Sequence, residues 1–268
     1  MPVTFVFITT VALYAAAWLL DLSSLFRGAK SSGVRAKFIL GVAAAAHLTY
    51  VALEYFIAED SPISDLNGTL STLSLGVVVA YLLVQRRYTV PALGVFVTPI
   101  TLVFLLGAAL IRGVAEVPHP VASALLQVHI AFNIAGFIAF AVAFAASIAY
   151  VVQEQLLRRK RLGGAFRQLP SLAALDAVSA HATNAGFPLL TAGVVTGALF
   201  VSRAGGAAHF LSGAQTMGLL TWLVFASIVV LRLLGGWRGR RAAFGTIAGF
   251  ACGISVLAAY AVELGRGA

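Results

Sequence analysis

Residues 121–152 read VASALLQVHIAFNIAGFIAFAVAFAASIAYVV, which is an apolar run with few polar side chains. An α-helix rises about 1.5 Å per residue, so a helix over this run is roughly 48 Å long. The hydrocarbon core of a bilayer is only about 30 Å thick. We therefore expect this segment to cross a membrane as one helix and to project into the cytoplasm at its far end.

The composition of the whole chain also indicates a membrane protein. Of its 268 residues, 60% are hydrophobic and 10% are charged, whereas soluble domains carry about 25% charged residues. We predict an all-α integral membrane bundle of eight transmembrane helices, forming a single polytopic domain over residues 1–268. The stretch SLAALDAV, residues 171–178, is expected to lie along the membrane surface before the sixth span. The apolar runs long enough to span a bilayer cover residues 3–26, 38–57, 66–84, 90–111, 121–152, 179–201, 214–234 and 243–262.

The basic residues are distributed unevenly among the connecting loops. The chain has 18 Lys and Arg residues against 9 Asp and Glu residues, and such an excess can indicate nucleic-acid binding. Here, however, most of the bases fall in alternate loops, including the RRKR of residues 158–161. The positive-inside rule places these loops in the cytoplasm and both termini outside. The pattern indicates a lipid bilayer, and not a nucleic acid, as the partner of the bases.

Two histidines lie inside the apolar runs, where ionisable groups are rare and usually face the bundle interior. His47 is about 15 Å from the outer end of the second run, and His129 is about 12 Å from the outer end of the fifth. Two imidazoles at a similar depth on different helices are the arrangement that a b-type haem with two axial ligands requires. We therefore consider His47 and His129 candidate axial ligands of haem iron. The residues leave open the alternative that each only hydrogen-bonds across a helix pair.

Residues on the same helix faces can support the two rings. Tyr50 follows His47 at three residues, and Asn133 follows His129 at four. Such polar neighbours can hold the second nitrogen of a ligating imidazole. Gly136, a further turn along, is expected to let a flat group approach the helix.

The remaining histidines and the single cysteine carry weaker signals. His181 lies at the cytoplasmic edge of the sixth run, where an interfacial role is expected. His119 and His209 fall in external loops, where solvated side chains are expected. Cys252 has no disulfide partner in the chain and is expected to be a small buried hydrophobe.

The sequence contains no metalloprotease, hydrolase or P-loop motif. We therefore expect the protein not to be an enzyme. The sixth run carries a packing motif instead, because Gly193 and Gly197 are four residues apart and permit a neighbouring helix to approach closely.

Several stretches, taken in their order along the chain, resemble the cytochrome c assembly membrane-protein family, which includes CcsA, HemX and YpjD proteins. The stretch VHIAFNIAGF, together with GFPLLTAG and GWRGRR, makes the resemblance fairly specific. The similarity extends from about the second span to the eighth. The full stretches are LNGTLSTLSLGVVVAYLLVQRRY, LGVFVTPITLVFLL, LLQVHIAFNIAGFIAFAVAFAASIAY, AGFPLLTAGVVTGALF, LTWLVFASIVVLR and GWRGRRAAF.

The resemblance implies a role in haem handling. His129 matches an outer-side haem ligand of the family, and His47 matches a second-span histidine of HemX-like and YpjD-like members. CcsA proteins that export haem carry a tryptophan-rich external segment ending in Trp-Asp, whereas residues 202–218 contain neither Trp nor Asp. The family's histidines at the ends of the last two spans are also absent. The resemblance therefore implies the HemX-like branch, an accessory protein rather than the synthetase.

Together, the residues and the resemblance predict a non-enzymatic protein of the bacterial cytoplasmic (inner) membrane. It would bind haem b between His47 and His129 and assist cytochrome c maturation or haem supply, with other cytochrome c assembly proteins as partners. A first alternative is a cofactor-free scaffold that regulates a tetrapyrrole-synthesis enzyme through basic loops such as residues 158–161. A second alternative is a transporter that uses Glu54 and His47, although the chain lacks the paired broken helices of such proteins.

Overall fold

The computed structural model describes residues 2–27, 30–58, 63, 65–88, 90–111, 124–161, 163, 165–203 and 212–267. These residues form nine α-helices and a short 3₁₀ turn at Pro91–Leu93. In chain order the helices are α1 (Pro2–Arg27), α2 (Lys30–Ala58), α3 (Leu66–Arg87), α4 (Gly94–Ile111), α5 (Ala124–Arg158), α6 (Ala165–Gln168), α7 (Leu172–Arg203), α8 (Gly213–Leu233) and α9 (Arg240–Gly267).

Eight of these helices, all except the four-residue α6, are long and apolar enough to cross a membrane. The prediction of an all-α bundle with eight membrane-spanning helices is therefore confirmed. One boundary differs from the expectation. Residues 171–178 do not form a separate surface segment, because α7 runs without a break from Leu172 to Arg203. The location of the termini outside the cell stays a prediction from the charge pattern.

The helix α5 is the most enclosed of the spans. It is 35 residues long, or about 52 Å at 1.5 Å per residue, so it exceeds the thickness of a bilayer core. Its buried face carries many alanines, which let neighbouring helices approach closely. Large aromatic side chains fill the remaining gaps: Phe140 stacks on Phe225 with ring centroids 3.6 Å apart, and Phe144 stacks on Phe250 at 4.5 Å.

Around α5 the other helices fall into two groups. On one side, α1 packs on α2 and α4, while α3 packs on α4 and on α5. On the other side, α7 packs along α5, and the α8–α9 pair packs on α7 and α5. Consequently, α2 belongs to the first group and reaches α3, whereas α7 belongs to the second.

A proline in α4 helps to hold α1 against α4 within the first group. Pro99 has no backbone N–H, so the Val95 carbonyl one turn earlier loses its helical donor. The Trp18 indole of α1 donates to that carbonyl at 3.1 Å. The bond satisfies a polar group that lipid could not satisfy, and it connects α1 to α4.

Ionic contacts connect the helices of the second group to one another at the end that carries the basic loops. The Asp176 carboxylate of α7 accepts from the Arg232 guanidinium of α8 at 3.3 Å and from the Gly239 N–H at 3.1 Å. Glu154 of α5 lies 3.7 Å from the guanidinium of Arg240 at the start of α9. These contacts join the ends of α5, α7, α8 and α9.

Candidate functional site

His47 of α2 lies in the interior of the first helix group, where its side chain has no solvent exposure. Its Nδ1 is 3.1 Å from the Tyr14 hydroxyl of α1, and its Nε2 is 3.2 Å from the Ser71 hydroxyl of α3. Tyr14 also meets the imidazole edge-on, with ring centroids 5.7 Å apart. Both ring nitrogens therefore have protein partners, and the ring joins three helices.

The partners of His47 differ from those that the sequence suggested. Tyr50 contacts the imidazole only as a tilted ring with its centroid 6.1 Å away. The hydrogen bonds come instead from Tyr14 and Ser71, which lie on other helices. Sequence reasoning missed both residues. Both are polar residues inside a membrane span, which was a possible signal. Sequence spacing does not show, however, which way each helix is rotated, and so it could not show that they face His47.

His129 of α5 lies at the contact with α7 and is partly buried. Its Nδ1 is 2.7 Å from the Gly193 carbonyl. A β-carbon at Gly197 would lie 2.6 Å from the imidazole, so only glycine leaves room for the ring there. The Asn133 amide packs over Gly193 in the same way, because a β-carbon at Gly193 would lie 2.7 Å from it. The glycine pair read as a packing motif thus accommodates His129 and Asn133.

The hydrogen bond to Gly193 determines which nitrogen of His129 carries the proton. A carbonyl oxygen can only accept, so Nδ1 must be the donor. In the neutral imidazole, Nε2 is then the nitrogen that carries the electron pair. Asn133 donates to the His129 carbonyl at 2.8 Å, whereas its distance to each ring nitrogen is 3.3 Å. A histidine that donates Nδ1–H to a backbone carbonyl is oriented as metal-binding histidines are.

The structure places the two histidines in different surroundings. His47 lies among α1, α2 and α3, whereas His129 lies between α5 and α7. Among the described residues, no hydrogen bond or ring contact joins the two imidazoles. Joint ligation of one haem iron by His47 and His129 stays a prediction.

The two sites differ in how well they fit a haem ligand. At His129, Nδ1 is fixed by the Gly193 carbonyl, and Nε2 carries the electron pair that an iron would need; the Asn133 amide nitrogen lies 3.3 Å from Nε2, so a ligand there has to displace only this long contact. His47 fits only after a rearrangement, because its iron-binding nitrogen would first have to release the hydroxyl of Tyr14 or Ser71. Gly136 does not offer space for a flat group here, since the α7 backbone at Gly186 and Leu190 lies against it.

The other expected residues have the following positions. His181 is exposed on α7, where its Nδ1 lies 2.7 Å from the Ala177 carbonyl and 3.2 Å from the Tyr88 hydroxyl. His119 and His209 lie outside the described residues. Cys252, which we expected to be buried, is partly exposed on α9. Within the described ranges, no cluster of three or more His, Cys, Asp or Glu side chains could hold a metal ion.

Comparison with known proteins gives matches over nearly the whole chain. The family model described as "Cytochrome C assembly protein" matches residues 8–267. A protein named cytochrome c biogenesis protein CcsA, from Synechococcus sp. (strain CC9605), is 29% identical over 250 residues, which cover 82% of each chain. A protein of the same name from Prochlorococcus marinus subsp. pastoris is 26% identical over 277 residues, covering 93% of this chain and 86% of its own. A third, from Picosynechococcus sp., is 43% identical over 84 residues, covering 31% of this chain and 25% of its own.

Proposed function

The chain belongs to the cytochrome c assembly protein family, and from this premise we propose that it handles haem in the membrane during cytochrome c maturation. The observation that carries the proposal is the hydrogen bond that orients the His129 imidazole. Its Nδ1 donates to the Gly193 carbonyl at 2.7 Å, which leaves the electron pair on Nε2, where only the Asn133 amide lies close, at 3.3 Å. The relatives named as cytochrome c biogenesis proteins support the same process.

In this proposal His129 would hold haem b by ligating its iron. Bound haem would supply an iron centre that can change oxidation state and that imidazole nitrogens ligate. The chain's own contribution is orientation: Gly193 fixes the tautomer, and Gly197 gives the ring its space. His47 is the proposed second ligand. Its coordination requires that Ser71 or Tyr14 give up its hydrogen bond, so haem binding would be accompanied by a local movement among α1, α2 and α3.

We further propose an accessory role without catalysis of its own, as in the HemX-like branch. This follows from residues 202–218, which lack the Trp and Asp of the segment that exporting members use. The proposed location is the bacterial cytoplasmic membrane, and the proposed partners are other cytochrome c assembly proteins.

The absorption spectrum of protein purified from haem-replete cells tests the proposal. We expect a Soret band that shifts on reduction and that His129→Ala strongly weakens. His181→Ala is the matched control, because it removes an exposed histidine of α7 that the proposal does not use. A colourless protein, or a band that both variants weaken equally, would overturn the proposal.

A second candidate function rests on the basic corner at the end of α5, residues 158–161. All four side chains are exposed, and among the described residues only Arg158 forms an ion pair, with Glu154 at 2.8 Å. Such a corner can bind an acidic surface of a soluble enzyme, and we infer a tetrapyrrole-synthesis enzyme as the candidate. Capture of such an enzyme that is lost on neutralising the corner, and that His129→Ala leaves intact, would favour this regulator role.

A further inference from the structure

A groove opens on the surface between α2 and α3, and neither His47 nor His129 lines it. It has a volume of about 490 Å³. Seven residues line it: Lys37, Phe38, Gly41, Val42 and Ala45 from α2, and Leu82 and Arg86 from α3. The two helices are both membrane-spanning, so the groove lies where lipid surrounds the protein.

The groove is apolar along most of its length. Gly41 and Ala45 are one turn apart on α2, and their small side chains leave the space open. A β-carbon at Gly41 would meet nothing within 4 Å. Phe38 and Val42 are exposed at the edge of the groove, where lipid surrounds the protein. This shape and chemistry suit a hydrocarbon chain lying along the protein.

The charge of the groove is concentrated at one end. Lys37 stands near the beginning of α2, and Arg86 stands near the end of α3, so both lie at the basic end of the bundle. Both side chains are exposed, and within the described ranges neither has an ion-pair partner. Two unpaired cations from separate helices attract an anion to the mouth of an apolar groove.

We propose that this groove, lined by Lys37, Gly41, Ala45 and Arg86 among others, binds an anionic phospholipid. The phosphate lies between the two cations, and one acyl chain lies over the two small residues of α2. An anionic lipid fits better than a zwitterionic one, because the groove offers two positive charges and no acidic side chain. The proposal is independent of whether the protein binds haem.

Native mass spectrometry of the detergent-purified full chain can test the proposal with phosphatidylglycerol and phosphatidylcholine as probes. We expect the unmodified protein to retain phosphatidylglycerol preferentially. The double variant Lys37→Gln/Arg86→Gln is expected to lose about tenfold or more of that preference, since each cation near a headgroup contributes to binding. The matched control is Arg35→Gln/Arg87→Gln, which removes two exposed charges from the same helices but outside the groove.

A third variant tests whether an acyl chain occupies the groove. Gly41→Leu fills the groove without a steric clash at its β-carbon and without a change of charge, so we expect it to weaken retention of phosphatidylglycerol while the protein stays folded. Equal loss in the two double variants would overturn the proposal in favour of a general surface charge. Unchanged retention in Gly41→Leu, or full displacement by the chain-free headgroup glycerophosphoglycerol, would also overturn it.

Discussion

Replacement of Gly197 by alanine tests how His129 is held. The new β-carbon would lie 2.6 Å from the imidazole Cε1 and 2.7 Å from its Nδ1, closer than atoms can approach without displacement. The ring would have to move away and stretch or break its 2.7 Å bond to Gly193. Overpacking costs about 1–3 kcal/mol, and loss of the hydrogen bond costs about 1 kcal/mol.

One opposing effect reduces this cost. Alanine is favoured over glycine inside a helix by about 1 kcal/mol. The net expectation for Gly197→Ala is therefore a destabilisation of about 1–3 kcal/mol, the result of the overpacking and hydrogen-bond costs less the gain in helix propensity. Weaker haem retention should accompany it.

The control is a glycine of α8 with free space around it. A β-carbon at Gly218 would meet nothing within 4 Å, so Gly218→Ala should leave stability unchanged or raise it by up to about 1 kcal/mol. Thermal unfolding in detergent, with the haem spectrum of each sample, measures both variants. If Gly197→Ala behaves like Gly218→Ala, then the close contact between His129 and α7 is not present in the protein, and the reasoning fails.

Two further predictions concern buried polar contacts and can be checked by thermal unfolding in the same detergent. Ser71→Ala leaves Nε2 of His47 without its partner and should cost about 1–3 kcal/mol; a cost that persists unchanged when His47 is already leucine would show that the hydrogen bond is not its source. Asp176→Ala leaves the guanidinium of Arg232, whose Nε and Nη2 have no partner among the described residues, without its carboxylate, and should cost about 3 kcal/mol. Glu154→Ala is its control and should cost under about 1 kcal/mol, since its partners Arg158 and Arg240 are both exposed.

The architecture could be predicted from the sequence because membrane spans depend on local composition. Each span is a continuous apolar run, and lipid leaves the backbone no alternative to the helix. The beginning of α7 was harder to place. Residues 171–178 follow Pro170 and begin with Ser171, a plausible N-cap, which suggested a separate surface segment. In the structure Asp176 has partners in Arg232 and Gly239, so the helix can continue through this position.

The contacts of the site were only partly predictable. The spacing of Gly193 and Gly197 correctly indicated close helix packing, and the structure shows that the packed side chains are those of Asn133 and His129. The partners of His47 could not be found in this way. Tyr14 and Ser71 lie on different helices, and their approach depends on which helices are neighbours and how each is rotated.

The absorption spectrum of the His129→Ala variant beside that of the unmodified protein tests the central claim most directly. The account predicts a Soret band in protein purified from haem-replete cells, its near loss in His129→Ala, and its retention in His181→Ala. Retention of the full band in His129→Ala would contradict the account, because the histidine oriented by Gly193 would then not hold the haem.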